Sequence, residues 1–127
     1  MKLEVGQFVR TNYGKIDKIL ELNKSYVKGV SQKDELYAYD IDNIVKASYN
    51  IIDILEVGDY ANGYYVSKIW EKDEITHYVN EAPIKRKERE IVIQAPNYGG
   101  IEILKNKNIK SVITHEQMEQ MAYKVGE

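Results

Sequence analysis

The chain has 127 residues, 43% of them hydrophobic and 30% charged, which describes a globular protein of one domain or two very small ones and excludes a disordered segment. It contains no cysteine, so it has neither a disulfide framework nor a thiolate metal site, and this suits a reducing compartment. Eighteen basic against 20 acidic side chains leave a formal charge of −2, which gives no global pull toward nucleic acid or anionic membranes.

Eleven tyrosines, with many Ile and Val, favour strands. In chain order, Leu3 to Thr11 reads as a first strand with a bend at Gly6, and Asn12-Tyr13-Gly14 as a tight turn. Lys15 to Leu22 returns as a strand, Asn23-Lys24-Ser25 turns, and Tyr26 to Val30 follows. Glu35 to Ile41 alternates like a half-buried strand, and Asn43 to Ala47 is a short one. Ser48 is placed to cap a single helical turn through Asn50-Ile51-Ile52-Asp53. Asn62-Gly63 is the strongest hairpin signal, leading into strands over Tyr64 to Trp70 and Ile75 to Asn80. Pro83 reads as an interruption, and Lys85 to Glu90 as a charged bridge. Ile91 to Ile93, Ile101 to Leu104 and Ile109 to Ile113 read as strands, with Pro96 to Gly100 a loop. Thr114 and Gln117 form a capping box that opens a helix over Glu116 to Ala122, with Tyr123-Lys124-Val125 leaving as an extended tail.

The opening phrase is used twice. Leu3-Glu4-Val5-Gly6-Gln7-Phe8 returns as Leu55-Glu56-Val57-Gly58-Asp59-Tyr60, at an offset of 52. Gly14-Lys15-Ile16-Asp17-Lys18-Ile19 is echoed by Tyr64-Tyr65-Val66-Ser67-Lys68-Ile69, and Asn43-Ile44-Val45-Lys46 by Asn108-Ile109-Lys110-Ser111. Three echoes in the same order predict a duplicated unit. A bent strand carrying Val-Gly-Asp/Gln-aromatic, then a turn and an Ile/Val-x-Lys-Ile strand, is how small SH3-like barrels begin. The expected architecture is therefore mainly β: two tandem SH3-like β-barrel units, residues 1–54 and 55–127, with a short C-terminal helix. One continuous antiparallel sheet of six to eight strands with a small helix is the alternative.

Chemistry-bearing motifs are few. No phosphate-binding glycine loop, nucleophile elbow or zinc-protease motif occurs, and His77 and His115 lie far apart, so no catalytic residue, cofactor or metal site is expected. The carboxylates from Asp34 to Asp42 and from Glu71 to Glu74 read as solvated loops. Two groups in the second unit suit a partner. Tyr64 and Tyr65 are adjacent on a strand and face opposite ways, and Trp70 is the sole tryptophan; Lys85, Arg86, Lys87 and Arg89 form the only basic cluster. Core packing for the aromatics, and a solvated charged loop for the basic run interrupted by Glu88 and Glu90, are the plain readings beside these. Met1 to Gly6 lacks the apolar run of a signal peptide, and no stretch approaches the roughly 20 apolar residues of a membrane span, so a soluble intracellular protein is expected.

Leu55-Glu56-Val57-Gly58-Asp59-Tyr60 with Asn62-Gly63, Ser48 to Ile54, and Ile109 to Glu119 resemble small uncharacterised proteins encoded by phages and prophages of low-GC Gram-positive bacteria. The resemblance covers both ends and the junction, fades across Glu71 to Leu104, and carries no catalytic residues. It implies a mobile-element origin and an accessory role in the host cytoplasm, among them the disabling of host defences such as CRISPR effectors. The resulting expectation is a non-catalytic protein docking on a host protein or ribonucleoprotein through Tyr64, Tyr65, Trp70, Lys85, Arg86 and Arg89. The second expectation is a nucleic-acid-binding SH3-like module using the basic cluster, with duplex DNA disfavoured by the net charge.

Overall fold

The computed structural model describes residues 2–79, 82–95 and 99–125, with side chains described for 2–72, 87–95 and 99–121. The chain is mainly β, with two antiparallel sheets, one of them curled into a half-barrel, and one short helix near its C-terminus. The strands are β1 (Phe8–Thr11), β2 (Ile16–Leu22), β3 (Tyr26–Val30), β4 (Leu36–Asp40) and β5 (Ile44–Ser48), then β6 (Tyr60–Ala61), β7 (Tyr64–Val79), β8 (Ala82–Ala95), β9 (Gly100–Lys105) and β10 (Val112–Ile113). Helix α1 spans His115–Val125. The sheet orders are β4-β3-β2-β1-β5 and β10-β6-β7-β8-β9, the same sequence of neighbours read from opposite ends.

The two bent turns are built alike. Gly6 and Gly58 both take positive φ, +95° and +100°, a region in which a Cβ is strained. The Gly6 N–H donates to Ile19 O at 2.9 Å and the Gly58 N–H to Val66 O at 3.0 Å. Inside each turn a side chain accepts from the backbone three residues earlier: Gln7 from the Glu4 N–H at 2.8 Å, Asp59 from the Glu56 N–H at 2.7 Å. A one-turn 3-10 helix precedes the last strand of each sheet, Ile41–Asn43 in the first and Asn106–Asn108 in the second. The hydrogen bonds match Ile19 with Val66, not with Ile69 as the sequence echo aligned them, because the β6–β7 hairpin is shorter than the β1–β2 arm.

There are two cores, and the second draws residues from both sheets. Val9, Ile19, Val27 and Ile44 fill the first. Alternation along β2 sends Ile16 to the opposite face from Ile19, and there it joins Ile54, Leu55, Val66 and Ile91 in the second core, with Phe8 packed against it. The junction residues Ile54 and Leu55 are fully buried.

Several expected elements differ. The first strand begins at Phe8, because the Gly6 turn occupies the residues before it. Tyr64 to Trp70 and Ile75 to Val79 form one strand; Asn80 lies outside the described residues. Pro83 does not interrupt β8: it stands near the strand's start, opposite Tyr78, where a missing N–H is tolerated. The charged bridge is also strand. Its register sets Arg89 opposite Glu71, Glu88 opposite Lys72, Lys87 opposite Asp73 and Arg86 opposite Glu74. Each such opposite-charge pair favours pairing by about 0.2–1 kcal/mol. Only Val112 and Ile113 of the stretch from Ile109 are strand. Tyr123 to Val125 continue the helix rather than leaving it, since Gly126 is the first residue there that disfavours it. Ser48 does not occupy the cap itself; it braces the 3-10 turn Ile51–Ile54 by accepting from the Asn50 N–H at 3.1 Å and donating to Asp53 at 2.6 Å. Pro96 to Tyr98 of the expected loop lie outside the described residues.

Candidate functional site: a buried charge network beside an aromatic cleft

Arg10 sits between the apolar Val9 and the buried Thr11 on β1, and its side chain reaches across to the second sheet. It is fully buried. Its two terminal nitrogens donate to Asp59, at 2.6 and 3.0 Å, a bidentate pair with a partner that is also fully buried. One also donates to Ile54 O at 3.1 Å, the other to Glu116 at 2.6 Å, and Nε lies 3.6 Å from Glu56. One side chain thus ties β1 to the junction, the second bent turn and the start of α1.

The first turn of α1 completes the network. The expected capping box is present, with Gln117 N–H donating to Thr114 Oγ1 at 3.3 Å and Thr114 N–H to Gln117 Oε1 at 3.1 Å. Thr114 Oγ1 also donates to Gly14 O at 2.6 Å, docking the helix start on the first hairpin. His115 N–H donates to Asp59 at 2.9 Å. The imidazole Nε2 lies 2.9 Å from Glu56 and 2.8 Å from Glu116, and Lys46 Nζ is 3.0 Å from the other Glu56 oxygen.

Two fixed cations, Arg10 and Lys46, face three carboxylates, Glu56, Asp59 and Glu116, so the network carries −1 until His115 takes a proton. The hydrogen bond to Glu56 raises His115 above its ordinary 6.5, against partial burial. Burial pushes the Glu56 carboxyl up, but hydrogen bonds from His115 and Lys46 and the charge of Arg10 outweigh it and lower it to about 2. Glu56, His115 and Glu116 also present three ligand atoms within 4.8 Å of one another, a donor set a divalent ion could use. Charge favours the proton: it brings the sum to zero, whereas a divalent ion would overshoot.

This arrangement sets a pH window. Protonated His115 is the bound form, so its contribution is complete below its ordinary 6.5 and is lost as pH rises through its raised value. Ionised Glu56 contributes fully above its ordinary 4.5 and ceases to as pH falls toward about 2. The melting-temperature gap between the protein and a His115→Gln variant should be widest between these two ordinary values and narrow in alkali. A gap that stays constant from acid to alkali would mean that His115 is uncharged in the network.

Beside the network lies a cleft of about 550 Å³, lined by Lys46, Glu56, Val57, Ile69, Trp70 and Arg89 among others. Of the residues expected to meet a partner, Trp70 and Arg89 come together here. Trp70 is 39% exposed, and its indole N–H donates to Glu90 at 2.9 Å. Arg89 is half-buried and donates to Asp53 O at 3.5 Å and Leu55 O at 3.2 Å, so it also holds the junction. Tyr64 packs on the second core, while Tyr65 is exposed and meets Tyr60 edge-on at 5.7 Å. Lys85 and Arg86 lie on β8, not on a loop, and their side chains are outside the described residues.

The sequence reading missed Arg10, Lys46, Glu56, Asp59 and Glu116. One signal was available: the echo differs at Gln7 and Asp59, and the residue that changed is the one that holds Arg10. Compared with family models, with curated proteins and with solved structures, the chain gives no match. No described helix is long and apolar enough to cross a membrane.

Proposed function

We propose that the chain consists of two tandem SH3-like units and works as a non-catalytic binding protein, docking on a host macromolecule through the cleft at Trp70. The shared strand order and the 3-10 turn ahead of each last strand support the SH3-like reading. The observation that carries the docking reading is the sole tryptophan, part-exposed, fixed by Glu90 and set in a cleft with Ile69, Val57 and Arg89. Tryptophan in such a setting is among the commonest binding anchors. Phage or prophage origin, and the role of an inhibitor of a bacterial defence system of the anti-CRISPR type, rest on the sequence resemblance alone.

A protein partner is favoured over nucleic acid. Arg89 is committed to backbone carbonyls, and the formal charge of −2 gives nucleic acid no general attraction. Immobilised protein should retain a host protein or ribonucleoprotein from lysate treated with nuclease, and Trp70→Ala should lose it while keeping the circular dichroism of the parent. Retention that vanishes with nuclease would replace this reading by the nucleic-acid one; retention indifferent to Trp70→Ala would remove the cleft.

A further inference from the structure

A second recognition feature lies on the first sheet, away from the charge network and the Trp70 cleft. Alternation sets Asp17 on the same face of β2 as Ile19. Ile19 stands opposite Gly29 on β3, and Gly29 opposite Tyr37 on β4, with Tyr39 two residues further along. Asp17, Gly29, Tyr37 and Tyr39 therefore share one face. The Asp17 side chain lies against Gly29: a Cβ there would come 2.9 Å from the Asp17 Cβ and 3.5 Å from its Oδ2. Only a glycine leaves the carboxyl that room.

Asp17 is 2% exposed, and neither of its oxygens has a hydrogen-bond partner among the described residues. Burial raises its carboxyl above the ordinary value, against the pull of Lys15. Lys15 does not meet the need: its ammonium sits over the Tyr37 ring, 5.6 Å from the centroid of Tyr39, and donates to neither oxygen. Glu35, whose carboxylate accepts from the Tyr37 hydroxyl, adds a second negative charge. When Asp17 is ionised, one cation thus faces two carboxylates. A buried carboxylate without a donor costs stability, so packing alone gives no reason for Asp17.

We propose that this face receives an arginine side chain of a partner protein, its guanidinium paired with Asp17 and laid on the rings of Tyr37 and Tyr39 in place of the Lys15 ammonium. The chemistry selects arginine. A guanidinium presents parallel N–H donors that suit both carboxylate oxygens at once, and its plane stacks on an aromatic ring. An ammonium lacks that fork, and Lys15 shows the result: it takes the ring and leaves both oxygens unmet. Only side chains have to move, since Tyr37 stands on the edge strand β4 and Lys15 is a long, half-buried chain. The proposal stands independently of the docking reading, because Asp17, Glu35, Tyr37 and Tyr39 take no part in the Trp70 cleft.

Titration followed by the amide NMR shifts of Asp17 and Gly29 tests it, with Nα-acetylarginine amide, its lysine analogue and its uncharged citrulline analogue as probes. The arginine amide should bind at millimolar concentration, and the citrulline amide about tenfold more weakly or worse. Lys15→Ala should tighten the arginine amide about fivefold, because it removes the competing cation. Asp17→Asn should lose the binding while melting no lower than the parent, since it deletes a buried charge that has no donor. Glu35→Gln changes an exposed side chain and should weaken binding while keeping the fold. A lysine amide that binds as tightly as the arginine amide, equal binding of the citrulline amide, parental affinity in Asp17→Asn, or no shift at millimolar arginine amide would overturn the proposal. So would a marked fall in the melting temperature of Asp17→Asn, which would mean that the fold itself satisfies the carboxylate.

Discussion

Arg10→Ala is expected to destabilise the protein by about 3–5 kcal/mol, because it leaves the fully buried Asp59 carboxylate without its cation. Total stability for a chain of this size is on the order of 5–15 kcal/mol, so much of the variant should be unfolded at modest urea. The cost comes from the orphaned partner rather than from the intrinsic strength of the pair. Removing both charges, as in Arg10→Met with Asp59→Leu, should therefore recover part of the loss, though the Glu56 and His115 N–H groups that Asp59 also satisfies would still go unmet. Urea denaturation of the two single variants and the double variant gives the coupling. A loss under about 1 kcal/mol for Arg10→Ala would mean that water reaches the pair and that the network does not hold the halves together.

Gly14→Ala should cost about 2–4 kcal/mol through two effects that add. Gly14 has φ +84°, which an alanine adopts only under strain. A Cβ there would also lie 2.5 Å from Thr114 Oγ1 and 2.6 Å from the Glu116 Cβ, so the helix start would have to move. The same displacement breaks the Thr114 to Gly14 hydrogen bond and loosens Glu116 from Arg10. Gly63→Ala is the control: φ is +85°, but a Cβ meets nothing within 4 Å, so only the strain remains. Equal melting temperatures for the two variants would remove the close helix contact from the account.

Features written locally in the sequence were legible. Asn62-Gly63 turns with both residues at positive φ, and the Thr114 to Gln117 box opens the helix, because each is decided by residues within four positions. The run Lys85 to Glu90 was misread because a charged strand makes sense only beside its partner, and the complementary charges lie across the register on β7. Arg10 was invisible for the same reason on a longer scale: Asp59 and Glu116 lie 49 and 106 positions away. The cleft was half legible, since Trp70 and Arg89 could be named as anchors, while the packing of the half-buried Tyr64 depended on a core that draws on both sheets.

That core-spanning arginine also bears on how the molecule is made. The residues of the first sheet leave the ribosome before Asp59, which takes both terminal nitrogens of Arg10, and long before Glu116, which takes one of them again. Phe8 and Ile16 pack against a core built mostly from residues made later, so their side of the first sheet has no partner until those are present. The contact between Arg10 and Glu116 spans 106 positions, the kind of long-range pairing that slows folding. An apolar strand face left uncovered in that interval is the kind of surface that aggregates.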